Sequence, residues 1–222
     1  MARLIRIDDF PHGDLAMFHS GDINFYREKV YAALNIFENN DVPYILGASP
    51  LLFRHGDIEF LNSVVKNGKV VLHGFTHGWE LPWDRITTFW KDGGEFANLS
   101  LTEIKDRYEK SISIMKQIKS FSEEDFIAPF NCYTQTLLDF LKDTPVRRIH
   151  TSDEFWEIYG LNKMNYYCIE PIVSKFKVTY DDADKVIHNL KDPSQLTLHW
   201  CYDAKRPSWL MDYHKLCEEI KK

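Results

Sequence analysis

A chain of 222 residues with 44% hydrophobic side chains fits one large domain and can build a sizeable core. Its net charge of -6 sets aside nucleic acid, whose phosphate backbone calls for a basic face. No apolar run approaches a bilayer span, and the amino terminus lacks the charged, apolar, small-residue order of a secretory signal, so the expected compartment is the cytoplasm.

Residues 2–11 read as a short apolar-rich strand that runs into two adjacent carboxylates, Asp8 and Asp9. Pro11 cannot donate to a ladder and biases Phe10 away from helix, which predicts that the strand stops at the acidic pair. In a continuing strand Asp8 and Asp9 would face opposite ways, and only a turn there aims both at one site. Two like charges this close also favour a cation or a proton between them.

Residues 12–22 read as a loop, and residues 23–39 as a helix from the spacing of Val30, Leu34 and Phe37. A second strand over 42–48 ends at Ser49-Pro50, a helix over 57–67 is closed by Gly68, and a third strand occupies 70–72. That strand ends at His73, which with His77 makes a pair of imidazoles four apart, flanked by Gly74 and Gly78. The glycines give the backbone room to turn and a ligand room to approach. Both rings can converge on one ion, and neutral imidazoles are good ligands for zinc and its neighbours. The zinc-protease helix carries its base between its histidines, whereas Gly74, Phe75 and Thr76 stand here. A third ligand and a base must come from elsewhere, and the acidic pair is the obvious donor. Taken singly, each motif has an ordinary alternative: a coincidental spacing for the histidines, a solvated turn or cap for Asp-Asp-Phe-Pro. Each at the end of its own strand, they are less easily dismissed together.

A long loop over 73–98 follows, then an amphipathic helix over 101–119 capped by Ser100 with Glu103 behind it. The remaining elements are a strand over 126–130, a helix over 133–141, strands over 147–151, 166–170 and 196–200, a helix over 183–190 and a final helix over 207–220. Seven strands alternating with helices define an α/β chain with a parallel sheet, most simply closed as a (β/α) barrel. Active residues of such barrels sit where strands end, as Asp8, Asp9, His73 and His199 do. The four cysteines, Cys132, Cys168, Cys201 and Cys217, are too widely spaced for a zinc knuckle and read as buried thiols.

The order Ile-Asp-Asp near the start, His-x-x-x-His after a later strand, Ala-Pro-Phe at 128–130 and Leu-x-Leu-His at 196–199 resembles the polysaccharide deacetylases of the NodB-homology type, carbohydrate esterase family four. The resemblance spans nearly the whole chain and implies a single domain over 1–222, a divergent member with a distorted (β/α) barrel. It further implies a divalent metal, most simply zinc, and removal of an N- or O-acyl group from a glycan or smaller sugar. Carried onto this sequence, Asp8 is the base, Asp9, His73 and His77 are the metal ligands, and His199 is the acid. The chemistry is coherent, since three protein ligands leave open positions for water and a carbonyl. An imidazole can protonate a leaving amine near neutral pH, its ordinary pKa being about 6.5.

The chain also departs from the family. Where many members carry an arginine near the base, in an Arg-x-Pro-Tyr-like stretch, this chain reads Ile127-Ala128-Pro129-Phe130-Asn131, so the arginine and the tyrosine hydroxyl are both missing, and Phe10 replaces a glycine after the acidic pair. Arg6, two residues before Asp8 and on the same strand face, either replaces that arginine or lies at the surface with its stem over apolar neighbours. The backbone N–H of Phe130 is a candidate oxyanion donor. Trp79, Phe10, Pro129 and Phe130 are candidates for a sugar-binding wall, Trp79 heading a loop also rich in Trp83, Phe89 and Trp90, most of which are expected to pack. His12, Asp14 and His19 read as ordinary loop polarity, and Asp181, Asp182 and Asp184 as helix N-terminal charge rather than a calcium loop. Two other functions share the ligand set: an iron(II) oxygenase with two histidines and a carboxylate, and a metal-retaining carbohydrate-binding protein without turnover.

Overall fold

Along the first strand, β1 (Leu4–Phe10), apolar and polar residues alternate, so Ile5 and Ile7 share one face and Arg6 and Asp8 the other. The structure, a computed structural model, describes residues 4–11, 23–80, 85–86, 94–152, 170–175, 195–200 and 207–221. Six further strands, β2 (Tyr44–Ala48), β3 (Lys69–His73), β6 (Phe121–Ile127), β7 (Arg148–Ser152), β8 (Glu170–Lys175) and β9 (Gln195–His199), join β1 in a closed parallel barrel in that order. A two-stranded antiparallel ribbon, β4 (Trp79–Glu80) and β5 (Arg85–Ile86), interrupts the segment expected to be loop. Among the described residues the helices are α1 (Ile23–Asn39), α2 (Asp57–Val64), α3 (Leu101–Met115), α4 (Gln135–Leu141) and α5 (Trp209–Ile220). The expected strand over 166–170 meets the described chain only at Glu170, and the expected helix over 183–190 lies outside the described residues.

Register fixes which side chains share the barrel interior. Arg6 lies opposite Ile45 and Thr197, Asp8 opposite His199, Gly47 opposite Val71, His73 opposite Ile127, and Ile127 opposite His150. Among the described residues the inward face therefore carries a small apolar cluster, Ile45, Val71 and Ile127, amid buried polar and charged groups. The outward face carries Ile5, Ile7, Leu46, Leu72, Phe126, Ile149 and Leu198, packed with Leu34, Phe37, Ile104, Leu137 and Leu216 of the helices in the main core. Fully burying such a side chain contributes about 1.5–3 kcal/mol, so the sheet–helix layer supplies most of the stability. The interior is left for polar chemistry. No helix among the described residues is long and apolar enough to cross a membrane.

Candidate metal centre

The proline argument predicts that β1 stops at its acidic pair, and it does not. The strand runs to Phe10, and the change of direction is made by a bulge: its register against β2 shifts between Ile7 and Phe10, and Asp9 takes a left-handed backbone with φ 74°. Aspartate tolerates that region better than most residues, and a bulge re-aims side chains at the rim of a barrel. Asp8 keeps its inward position while Asp9 is turned toward the same end. The indole N–H of Trp200 donates to the Asp9 carbonyl at 3.1 Å and ties the bulge to the end of β9.

His73 ends β3, with its Nδ1 3.3 Å from the Ile127 carbonyl. A proton donated there leaves Nε2 as the lone-pair nitrogen, the arrangement of a ligating imidazole. Nε2 of His73 stands 3.4 Å and Nε2 of His77 3.3 Å from Oδ1 of Asp9. Donors held about 2.0–2.1 Å from a shared ion in tetrahedral array stand about 3.4 Å apart. Asp9, His73 and His77 form the three-donor group among the described residues, all buried, with ligand atoms within 4.8 Å of one another. Burial pushes the His73 imidazole down, and the opposing pull of Asp8 and Asp9 does not restore it. That shift favours the neutral ring, the form that binds a metal. By geometry and donor type, these residues fit a divalent ion.

Beside this group Arg6, with no exposed surface, grips Asp8 through two parallel bonds, Nε to Oδ1 at 2.8 Å and Nη2 to Oδ2 at 2.6 Å. Its Nη1 donates to Oδ1 of Asn131 at 2.9 Å. Of the two places considered for Arg6, the buried one beside Asp8 is the one it takes. Burial pushes the Asp8 carboxyl up, but Arg6, His73 and His199 more than offset it and leave it below its ordinary value. His199, at the end of β9, brings Nε2 to 3.9 Å from Oδ2 of Asp8, and its side chain is 25% exposed. Gly47 makes the approach possible, because a Cβ there would stand 3.1 Å from Oδ1 of Asp8 and 3.2 Å from Cβ of His73.

After β6 the chain makes a short 3-10 turn, Pro129–Asn131, in which Phe130 and Asn131 take φ of 56° and 55°. That turn sets the Phe130 ring against His77, centroids 4.5 Å apart, and sends the Asn131 amide to Arg6. Two of the expected sugar-wall residues need correction. Phe10 has no exposed surface, because the bulge turns its ring into a cluster with Tyr26, Phe53 and Phe60. Pro129 is buried with its ring against Gly74, where a side chain would overlap it. The side chain of Trp79 lies outside the described residues, as do Trp83, Phe89, Trp90, His12, Asp14, His19 and residues 180–184. Of the cysteines, Cys132 and Cys217 are buried, and Cys168 and Cys201 lie outside the described residues.

Two residues of the site escape sequence reasoning. Asn131 has a faint signal, an asparagine in a short segment after a strand, where left-handed backbone is common. Glu95 has none, because its role rests on backbone groups twenty residues away, namely the N–H groups of the segment between the histidines.

Comparison with protein-family models and with curated proteins gives no match. Among solved structures, the chain is similar to a CE4 family pseudoenzyme from Bacillus anthracis, with a TM-score of 0.60 and 13% identity over 99% of this chain and 60% of that one. It is also similar to a family 4 acetyl xylan esterase from Clostridium thermocellum in complex with a cobalt ion, at 0.61 and 11% over 100% of this chain and 84% of that one. A third is the chitin deacetylase of the fungal pathogen Colletotrichum lindemuthianum, at 0.61 and 12% over 99% and 81%. At these identities the likeness is one of fold: the chain has the barrel of the family 4 carbohydrate esterases and deacetylases. It spans 60% of the length of the Bacillus anthracis protein.

Proposed function

We propose that the chain is a metal-dependent hydrolase that removes an acetyl-like N- or O-acyl group from a glycan or smaller sugar, as one NodB-like deacetylase domain over residues 1–222. The observation that carries this reading is the shared position of two carboxylates with different partners: Asp9 among the imidazoles of His73 and His77, Asp8 in the guanidinium fork of Arg6. Asp9, His73 and His77 would hold the ion, zinc being the best match to two imidazoles and a carboxylate, and the ion would polarise the acyl carbonyl and acidify its water.

The remaining steps belong to the chain. Asp8, kept ionised by Arg6, is the base that takes the proton of the attacking water. His199 is the acid: part-exposed at the strand end, it delivers a proton to the leaving nitrogen or oxygen of the sugar. The Phe130 N–H is the candidate oxyanion donor, and its ring the candidate sugar contact. Arg6 supplies from β1 a guanidinium beside Asp8, which the altered 127–131 stretch lacks, and this supports turnover over binding alone.

The test combines elemental analysis with acetate and formate release from a panel of acylated sugars. One divalent ion per chain is expected, with release that drops about 10²- to 10⁴-fold in Asp8→Asn while the ion is retained. Release by Asp8→Asn at the wild-type rate would remove the base assignment. Oxygen consumption with iron would replace hydrolysis by oxygenase chemistry, and bound metal without release on any sugar would leave a binding protein.

A further inference from the structure

We infer that Glu95 is a positioning residue that holds the His77 arm of the metal centre in its ligating geometry; the inference rests on the metal-centre reading above. The segment between the histidines is neither helix nor strand. Gly74, His77 and Gly78 take φ of 64°, 54° and 81°, so its backbone N–H groups have no ladder to join. Phe75, Thr76 and His77 are nonetheless buried, and buried N–H groups need acceptors.

One side chain provides them. The Glu95 carboxylate, 4% exposed, accepts from the N–H of Phe75 at 3.2 and 3.1 Å, of Thr76 at 3.1 Å and of His77 at 2.9 Å. It also accepts from the Thr76 hydroxyl at 3.4 Å, and Arg107 of α3 approaches it at 3.4 Å. Three successive N–H groups converging on one anion form a nest, here filled by the protein's own carboxylate. The fit is tight on the far side as well: a Cβ at Gly74 would overlap both the Glu95 carboxylate and the Pro129 ring. His77 holds a left-handed backbone that an L residue adopts only at a cost, and the bond from its own N–H to Glu95 offsets that strain. Without Glu95 the arm relaxes, and the His77 Nε2 leaves its place 3.3 Å from Asp9.

Glu95→Gln keeps length and volume but sets an amide N–H2 against a backbone N–H. Glu95→Asp keeps both oxygens one methylene short. Each variant is titrated with cobalt(II), which reports binding and coordination number through its visible absorption, and melted without metal. A cobalt affinity about 10- to 100-fold weaker than wild type in Glu95→Gln, with an altered cobalt spectrum and a folded metal-free protein, is the expected result. Glu95→Asp should fall between the two. Cobalt binding within twofold of wild type with an unchanged spectrum would overturn the inference. So would loss of folding in both variants, which would make Glu95 structural. Failure of the wild-type protein to bind any divalent ion would instead overturn the metal-centre reading itself, which separates the two outcomes.

Discussion

Arg6 commits three guanidinium nitrogens inside the barrel, two to Asp8 and one to Asn131, and has no contact with solvent. Breaking a buried ion pair from one side costs about 3–5 kcal/mol, because the remaining charge is left without a partner. Arg6→Ala is therefore expected to lose about that much in urea unfolding. The double variant Arg6→Ala/Asp8→Ala should lose clearly less than the sum of the two single changes. Simple additivity would mean that the pair is not coupled. At Gly47 an alanine would bring its Cβ to 3.1 Å from an Asp8 oxygen already held in the fork and 3.2 Å from the His73 Cβ, so neither neighbour can give way freely. Gly47→Ala should cost about 1–3 kcal/mol as overpacking. Its larger effect should be on acyl release, down as much as about 10²-fold, since displacements on the ångström scale suffice for such losses. Unchanged release would show that the interior has slack around Asp8. The Arg6–Asp8 pairing was legible because residues two apart on a strand share a face. Its third arm was not, because Asn131 arrives across 125 positions of sequence.

The start of α3 shows which elements a sequence announces well. The Ser100 hydroxyl accepts from the Glu103 N–H at 3.3 Å, and the Glu103 carboxylate accepts from the Ser100 N–H at 2.8 Å, the reciprocal box that Ser-x-x-Glu predicts. Ser100→Ala should cost about 1 kcal/mol in thermal or urea unfolding and leave metal binding and acyl release untouched, as the cap is exposed. β6 shows the opposite case. The sequence places a strand over 126–130, whereas the structure has it at Phe121–Ile127. The acidic run Glu123-Glu124-Asp125 hides its beginning, since depleted β-formers read as a turn. In the fold those acids are paired: Glu123 with Lys116, Glu124 with Arg148, and Asp125 with Arg148 and His150. The end was overrun because Pro129–Asn131 leaves the strand as a 3-10 turn with two left-handed residues, which Ala-Pro-Phe does not announce. Local rules located most strands and helices of the barrel and missed where its polar interior supplies the partners.

For the barrel as a whole, charged cross-ties do inside the sheet what apolar packing does outside it. Asp125 on β6 receives Nε and Nη2 of Arg148 from β7, both at 2.7 Å, the Ser122 hydroxyl at 2.5 Å, and lies 2.9 Å from Nε2 of His150. Burial pushes the Asp125 carboxyl up, but the bonds from Arg148, His150 and Ser122 carry it far below the ordinary carboxylate range. A carboxyl whose folded pKa lies below its unfolded value, about 3.9, binds its proton more readily in the unfolded chain. Its stabilisation is therefore fully present above that value and is lost as pH falls below it toward the folded pKa. Asp125→Asn removes the charge and keeps the shape. At pH 7 the loss should be about 3 kcal/mol or less, below the full cost of a broken buried pair, because Arg148 is 28% exposed and can turn to water. In urea unfolding at a series of pH values the gap between wild type and Asp125→Asn should hold steady from about pH 7 to 5 and then narrow progressively below about pH 4. Other carboxylates titrate in both proteins and cancel in the difference. A gap that stays constant down to the lowest pH at which both proteins fold would mean that Asp125 ties β6 to β7 by shape and not by charge.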